Sequence, residues 1–145
     1  MRDPDLSAVD LAAADTFGFF TRENVRFCDT DMVGHVNNVA HAALVEAGRI
    51  GYVFDLARRV GEDTATITFV RLEIDFRADL HYPATVRIGA RALAVGRTSF
   101  TVGIGVFDGD RCVSTSRNVL VHLGHDRRPA PVPEGLRAAL LAECP

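Results

Sequence analysis

The chain has 145 residues, 48% of them hydrophobic and 24% charged, with a formal net charge of -3. These values fit one globular domain with a thin core and exclude a nucleic-acid binder, which would carry a clustered basic excess. The three cysteines, Cys28, Cys112 and Cys144, are odd in number and too scattered for a disulfide framework or a spaced zinc site, which points to a reducing cytoplasm.

The opening residues MRDPDLSAVD alternate charge and polarity instead of building the apolar region of a signal peptide. Residues 1–20 read as an N-terminal extension, with a short helix over 5–16. Val25 and Phe27 then alternate with polar neighbours and predict a half-buried strand. From Asn37 to Arg59 small and apolar residues fall on nearly every side of a helical wheel, the pattern of a buried helix. Arg58 and Arg59 suit its C-terminal end and Gly61 its stop. His41, Glu46, Arg49 and Asp55 within this span exclude a membrane-spanning helix.

Long alternating segments follow. Ile67 and Phe69, then Leu72, Ile74 and Phe76, keep a strand rhythm whose phase slips at Val70 and Arg71, predicting a bulge. Val86 and Ile88 open a further strand, Phe100, Val102, Ile104 and Val106 another, and Val113, Val119 and Val121 the last. Asp108-Gly109 between these final two is a hairpin signal. Pro129, Pro131 and Pro133 break the chain before a short amphipathic helix over 133–144 with Leu136, Leu140 and Leu141. No repeat or linker divides the sequence, so residues 1–145 read as a single α+β domain, a curved antiparallel sheet wrapped around one long central helix. The second face of such a sheet also needs a cover, and dimerisation supplies it economically.

The stretch RFCDTDMVGHVNN, residues 26–38, falls between the first strand and the long helix. A helix N-terminus offers unpaired backbone N–H groups and partial positive charge. Asn37 is placed to cap it, which leaves the N–H of Asn38 to polarise a carbonyl as half of an oxyanion hole. Asp31 supplies a carboxylate able to attack a carbonyl or take a proton from water. Gly34 lets the chain turn sharply between them. Asp29 is expected to brace the loop through backbone N–H groups. Glu46 and Arg49, three apart on the helix, are expected to pair with each other or across a dimer, with Glu46 alternatively ordering a water. Strand alternation would turn Cys28 away from the face of Asp29, so it reads as a core residue rather than a nucleophile.

The run VRFCDTDMVGHVNNVAHAALVEAGR resembles the signature of hotdog-fold acyl-CoA thioesterases of the 4-hydroxybenzoyl-CoA thioesterase type, R-F-x-D-T-D-x-x-G-H-V-N-N-x-x-Y followed by Glu and Arg along the helix. GRTSFTVGIGVFDG and RPAPVPEGLRAAL are similar to later parts of the same family, so the likeness covers nearly the whole chain. It implies the hotdog fold, dimers or tetramers with the active site at the dimer interface, and hydrolysis of a coenzyme A thioester, or less often of an acyl carrier protein thioester. It also implies catalytic roles for Asp31 and the backbone N–H of Asn38. His35 matches the histidine of a similar D-x-N-x-H segment in plant acyl-carrier-protein thioesterases, either positioning water or thioester or bracing the loop, although Val33 replaces the asparagine. His41 stands where tyrosine is usual. Gly34, His41, Glu46 and Arg97 are the expected substrate contacts, Arg97 toward the coenzyme A nucleotide, whereas Arg127 and Arg128 read as surface charge. No metal and no cofactor are expected, coenzyme A being part of the substrate, and neither nucleic acid nor membrane is an expected partner. Two alternatives share the fold. A hotdog hydratase or dehydratase would resemble D-x-N-P-x-H, which DMVGH does not; a non-catalytic acyl-CoA binder would need the pocket and Arg97 but not Asp31.

Overall fold

In the computed structural model, which describes residues 8–63 and 66–145, the alternating segments form five strands: β1 (Phe19–Asn24), β2 (Ile67–Phe76), β3 (Thr85–Val95), β4 (Ser99–Asp108) and β5 (Arg111–His122). They make one antiparallel sheet in the order β1-β3-β4-β5-β2. The chain passes from one edge strand, β1, to the other, β2, through the long helix α1 (Asn38–Val60), which packs against the sheet on the way. This is the α+β architecture expected from the periodicity.

Local chemistry sets the boundaries. The side chain of Asn37 accepts a hydrogen bond from the N–H of Ala40 at 2.8 Å and starts α1. Gly61 ends it at a φ of 75°, a left-handed backbone conformation that costs glycine little. The register of β2 against β5 shifts between Phe69 and Arg71, at the predicted phase slip. Asp108 pairs with Arg111 to close the β4–β5 hairpin.

Leu44, Val45, Tyr52, Val53 and Leu56 of α1 pack against Ile88, Val102, Ile104 and Val106 of the sheet. Fully burying one such side chain is worth about 1.5–3 kcal/mol, so this seam holds the fold together. Gly48 marks its closest approach, because a Cβ there would lie 2.3 Å from Cγ2 of Ile88.

Four expectations change. The first strand lies earlier than Val25 and Phe27: the Asp29 carboxylate accepts the N–H of Arg26 at 2.8 Å and curls Phe27–Asp29 into a 3-10 turn outside the sheet. The helix is not buried all round, since Val39, Ile50 and Phe54 are exposed. The second face of the sheet is covered in part by the chain's own N-terminal segment, where Val9, Leu11 and Phe17 cluster with Leu93 and Phe107. Gly89, Gly103 and Gly105 make room for it, as a Cβ on each would meet atoms of Phe17 or Leu11 at 2.5–2.6 Å. The helix expected over 5–16 is absent from residues 8–16, which hold turns including a 3-10 turn at Ala14–Thr16; residues 1–7 lie outside the described residues. At the other end, α2 (Glu134–Leu141) buries Leu136 and Leu140 and leaves Leu141 exposed. No helix among the described residues is long and apolar enough to cross a membrane.

Candidate active site

The loop between β1 and α1 is tied at several levels. Thr30 and Val36 form an isolated antiparallel bridge. Inside it, the N–H of Asp31 donates to the His35 carbonyl at 2.9 Å and the N–H of Gly34 to the Asp31 carbonyl at 3.0 Å. Gly34 takes a φ of 88°, which a side-chain-bearing residue adopts only at a cost. Outside it, the N–H of Asn37 donates to the Asp29 carbonyl at 2.8 Å and the N–H of Val36 to the Leu80 carbonyl at 2.7 Å. The loop is therefore braced against both the helix start and the β2–β3 connection.

Within this frame Oδ1 of Asp31 accepts the N–H of Val33 at 2.9 Å, an Asx turn that fixes the carboxylate. Its second oxygen makes no hydrogen bond among the described residues. Asp31 and Asn38, both exposed, line one open groove of about 560 Å³ together with Arg26, Cys28, Asp29 and Val39. Asn38 is the first residue of α1, where an N–H has no intrahelical acceptor. The groove thus brings a carboxylate-bearing residue and the first residue of a helix to one cleft.

Asp29 is buried and structural, as expected, but its partner precedes it in the chain. The Arg26 guanidinium donates to it at 2.7 Å and holds its carboxyl below the usual carboxylate range, chiefly through that hydrogen bond. Cys28 departs from expectation. Because Phe27–Asp29 is a 3-10 turn, strand alternation does not apply, and the thiol is exposed and lines the groove beside Asp31.

The remaining expected site residues are not among those lining the groove. His35 is outside the groove lining; its Nδ1 faces Oδ1 of Asp79 at 3.6 Å and its ring packs edge-on against His81. His41 is buried between α1 and the sheet, with Nδ1 3.3 Å from Oγ of Ser114 and its ring edge-on to Phe76. Burial pushes its imidazole below the usual histidine range. Glu46 is exposed and pairs with Arg49 at 3.6 Å, as the spacing predicts. Arg49 is buried, donates to Oδ1 of Asn118 at 3.1 Å and lies over the Phe69 ring at 4.1 Å; burial lowers its pKa against the opposing pull of Glu46. Arg97 is exposed in the β3–β4 turn, the end of β3 away from Asn24 and Asp31. At about 3.3 Å per residue, the eleven residues of β3 put roughly 35 Å between its two ends.

A polar stripe on the sheet goes unforeseen in the sequence. Ser114, Ser116 and Asn118 alternate along β5, so they share one face, and all three are buried beneath α1, where His41 and Arg49 meet them. Their spacing of two along a strand is the available signal. A second apolar pocket of about 250 Å³ opens beside them, lined by Arg49, Ile50, Val53, Phe54, Ile67, Phe69 and Leu120.

Comparison with known proteins identifies the family. The model of the thioesterase-like superfamily matches residues 25–140. A thioesterase of Thermus thermophilus, solved with coenzyme A and zinc, superposes with a TM-score of 0.78 at 30% identity, over 89% of this chain and 96% of that one. A thioesterase-superfamily protein of Jannaschia sp. CCS1 does so with a TM-score of 0.76 at 28% identity, over 88% and 83% of the two chains. The uncharacterized protein YsmA of Bacillus subtilis (strain 168) is 35% identical over 88 residues, 60% of this chain and 59% of its own length. With the match to the family model spanning the catalytic-loop candidate, the helix and all the later strands, the chain belongs to the thioesterase-like superfamily and has its hotdog fold.

Proposed function

We propose that the protein hydrolyses an acyl-CoA thioester to a carboxylic acid and free coenzyme A, with Asp31 as the reacting carboxylate. The observation that carries this reading is the shared groove, which Asp31 and Asn38, the first residue of α1, line together. The Asx turn holds one oxygen of Asp31 and leaves the other for chemistry. That oxygen either takes a proton from water as the water oxygen attacks the thioester carbonyl, or attacks the carbonyl itself to give a mixed anhydride that water then opens. In both routes negative charge grows on the carbonyl oxygen, where the N–H of Asn38 meets it. The C–S bond then breaks and coenzyme A departs as the thiolate, which needs no strong acid.

The functional unit in this reading is a homodimer or a homotetramer. β2 is an edge strand with exposed Phe69, Val70 and Phe76, and α1 presents Val39, Ile50 and Phe54 to solvent. An exposed apolar edge of that length is normally covered. A second copy placed over Val39 would meet the lining of the groove. It would also offer an Arg97 to the phosphates of coenzyme A, which the Arg97 of the same chain, at the far end of β3, does not approach. Coenzyme A enters as part of the substrate, and no separate cofactor is invoked.

The test is a hydrolysis screen of purified protein against short, long, branched and aromatic acyl-CoAs, following release of the free thiol. Turnover of at least one class is expected. Tight binding of acyl-CoA without turnover across the panel would overturn the catalytic reading.

A further inference from the structure

We infer that His35, Asp79 and His81 form a binding site for a divalent transition-metal cation of the zinc type, clamping the Asp31 loop to the β2–β3 connection. Among the described residues, one ring nitrogen of each histidine and one carboxylate oxygen of Asp79 lie within 4.8 Å of one another. Two imidazoles and a carboxylate are a ligand set used by zinc sites that keep an open coordination position. The hydrolytic route above does not pass through this site, so the inference stands or falls independently of it.

Three observations support it. Nδ1 of His35 and Oδ1 of Asp79 face each other at 3.6 Å, too far for a good hydrogen bond. Two ligands on one tetrahedral zinc ion, each at 2.0–2.1 Å, are separated by roughly 3.4 Å. Nδ1 of His81 lies 3.1 Å from the carbonyl oxygen of Gly34. With its Nδ1–H donated there, Nε2 carries the lone pair, and a metal-bound histidine commonly gives its other ring N–H to a backbone carbonyl in this way. Finally, the rings of His35 and His81 are already packed edge to face with centroids 4.9 Å apart, so the donors come together at little cost in ordering. His81 and Asp79 are exposed, and small rotations of their side chains close the 4.8 Å spread.

The site would join two segments already tied by the hydrogen bond from Val36 N–H to the Leu80 carbonyl and by the contact of His81 with the Gly34 carbonyl. His35 is also the residue whose carbonyl accepts the N–H of Asp31. A cation there would stiffen the turn that carries the carboxylate. Because the ligands must be neutral imidazole and ionised carboxylate, binding weakens as the solution is acidified.

The test uses the full chain stripped with a chelator and titrated with Zn²⁺ alone by calorimetry, with Co²⁺ absorption reporting coordination. One ion per chain is expected. His81→Gln and Asp79→Asn should each weaken binding at least about tenfold, and Zn²⁺ should raise the Tm of the wild type but not of either variant. Circular dichroism of both variants establishes that they fold. Absence of stoichiometric binding, or binding unchanged in both folded variants because the ion sits at other histidines, would overturn the proposal.

Discussion

The backbone N–H of Asn37 donates to the carbonyl of Asp29 at 2.8 Å, while the side chain of the same asparagine caps α1 through the N–H of Ala40 at 2.8 Å. One residue thus ties the loop that bears Asp31 to the helix that bears Asn38. Asn37→Ala removes the cap and should cost about 1 kcal/mol, lowering Tm by about 2–4 °C. Hydrolysis should fall with it, and Asn37→Ser, which restores an acceptor, should recover both. Thermal melts and initial rates on the same preparations check this.

His41 gives a pH dependence with a definite sign. Its folded pKa lies below the unfolded value of 6.5 because it is buried, so between the two the unfolded chain binds more protons. Stability from this group is therefore fully present above about pH 6.5 and is lost as pH falls through 6.5 toward the lower folded value. Urea denaturation between pH 8 and 5 should show the decline, and His41→Asn, which cannot titrate, should flatten it. Asp29, whose folded pKa lies below 3.8 through its bond to Arg26, loses its contribution only as pH falls below 3.8, outside this window.

Gly48 allows α1 to lie close on Ile88. In Gly48→Ala the added methyl has no space without moving the helix or the Ile88 side chain, and overpacking of this kind costs about 1–3 kcal/mol. The urea midpoint should fall by the corresponding amount, against the small gain in helix propensity that alanine brings elsewhere.

Phe69 and Phe54 lie on the exposed edge strand and the exposed helix face. If the dimer proposed above forms through these surfaces, the wild type should scatter light as an oligomer and the variant with aspartate at both positions as a monomer, with the far-ultraviolet spectrum kept and hydrolysis lost. A dimer that survives both substitutions would show that another surface mediates assembly.

What could be read from the sequence follows the physics of short-range signals. The cap at Asn37, the stop at Gly61 and the bulge near Arg71 are local events, and each appeared where its residues predicted. The first strand was misplaced because the Arg26–Asp29 bond overrides the alternation of Val25 and Phe27. The N-terminal cover of the sheet was illegible because it depends on Val9, Leu11 and Phe17 meeting Leu93 and Phe107, far apart in sequence. The nearness of Asp31 to the start of α1 was legible because both lie in one contiguous loop and helix start. The burial of His41 and the distance of Arg97 from Asp31 were not, since which way a helical side chain faces, and which end of β3 a turn occupies, emerge only from the packed fold. The nearness of Asp79 and His81 to His35 has no signal in the sequence for the same reason, since loop packing rather than spacing brings them together.

Asp31→Asn tests the account most directly. The change keeps the shape of the side chain and the oxygen that accepts from Val33, but removes the base or nucleophile. The hydrolysis of whichever acyl-CoA the wild type turns over should fall at least about 100-fold, with circular dichroism and Tm close to those of the wild type. A folded variant that retains near-normal turnover would contradict the assignment of Asp31 as the reacting carboxylate.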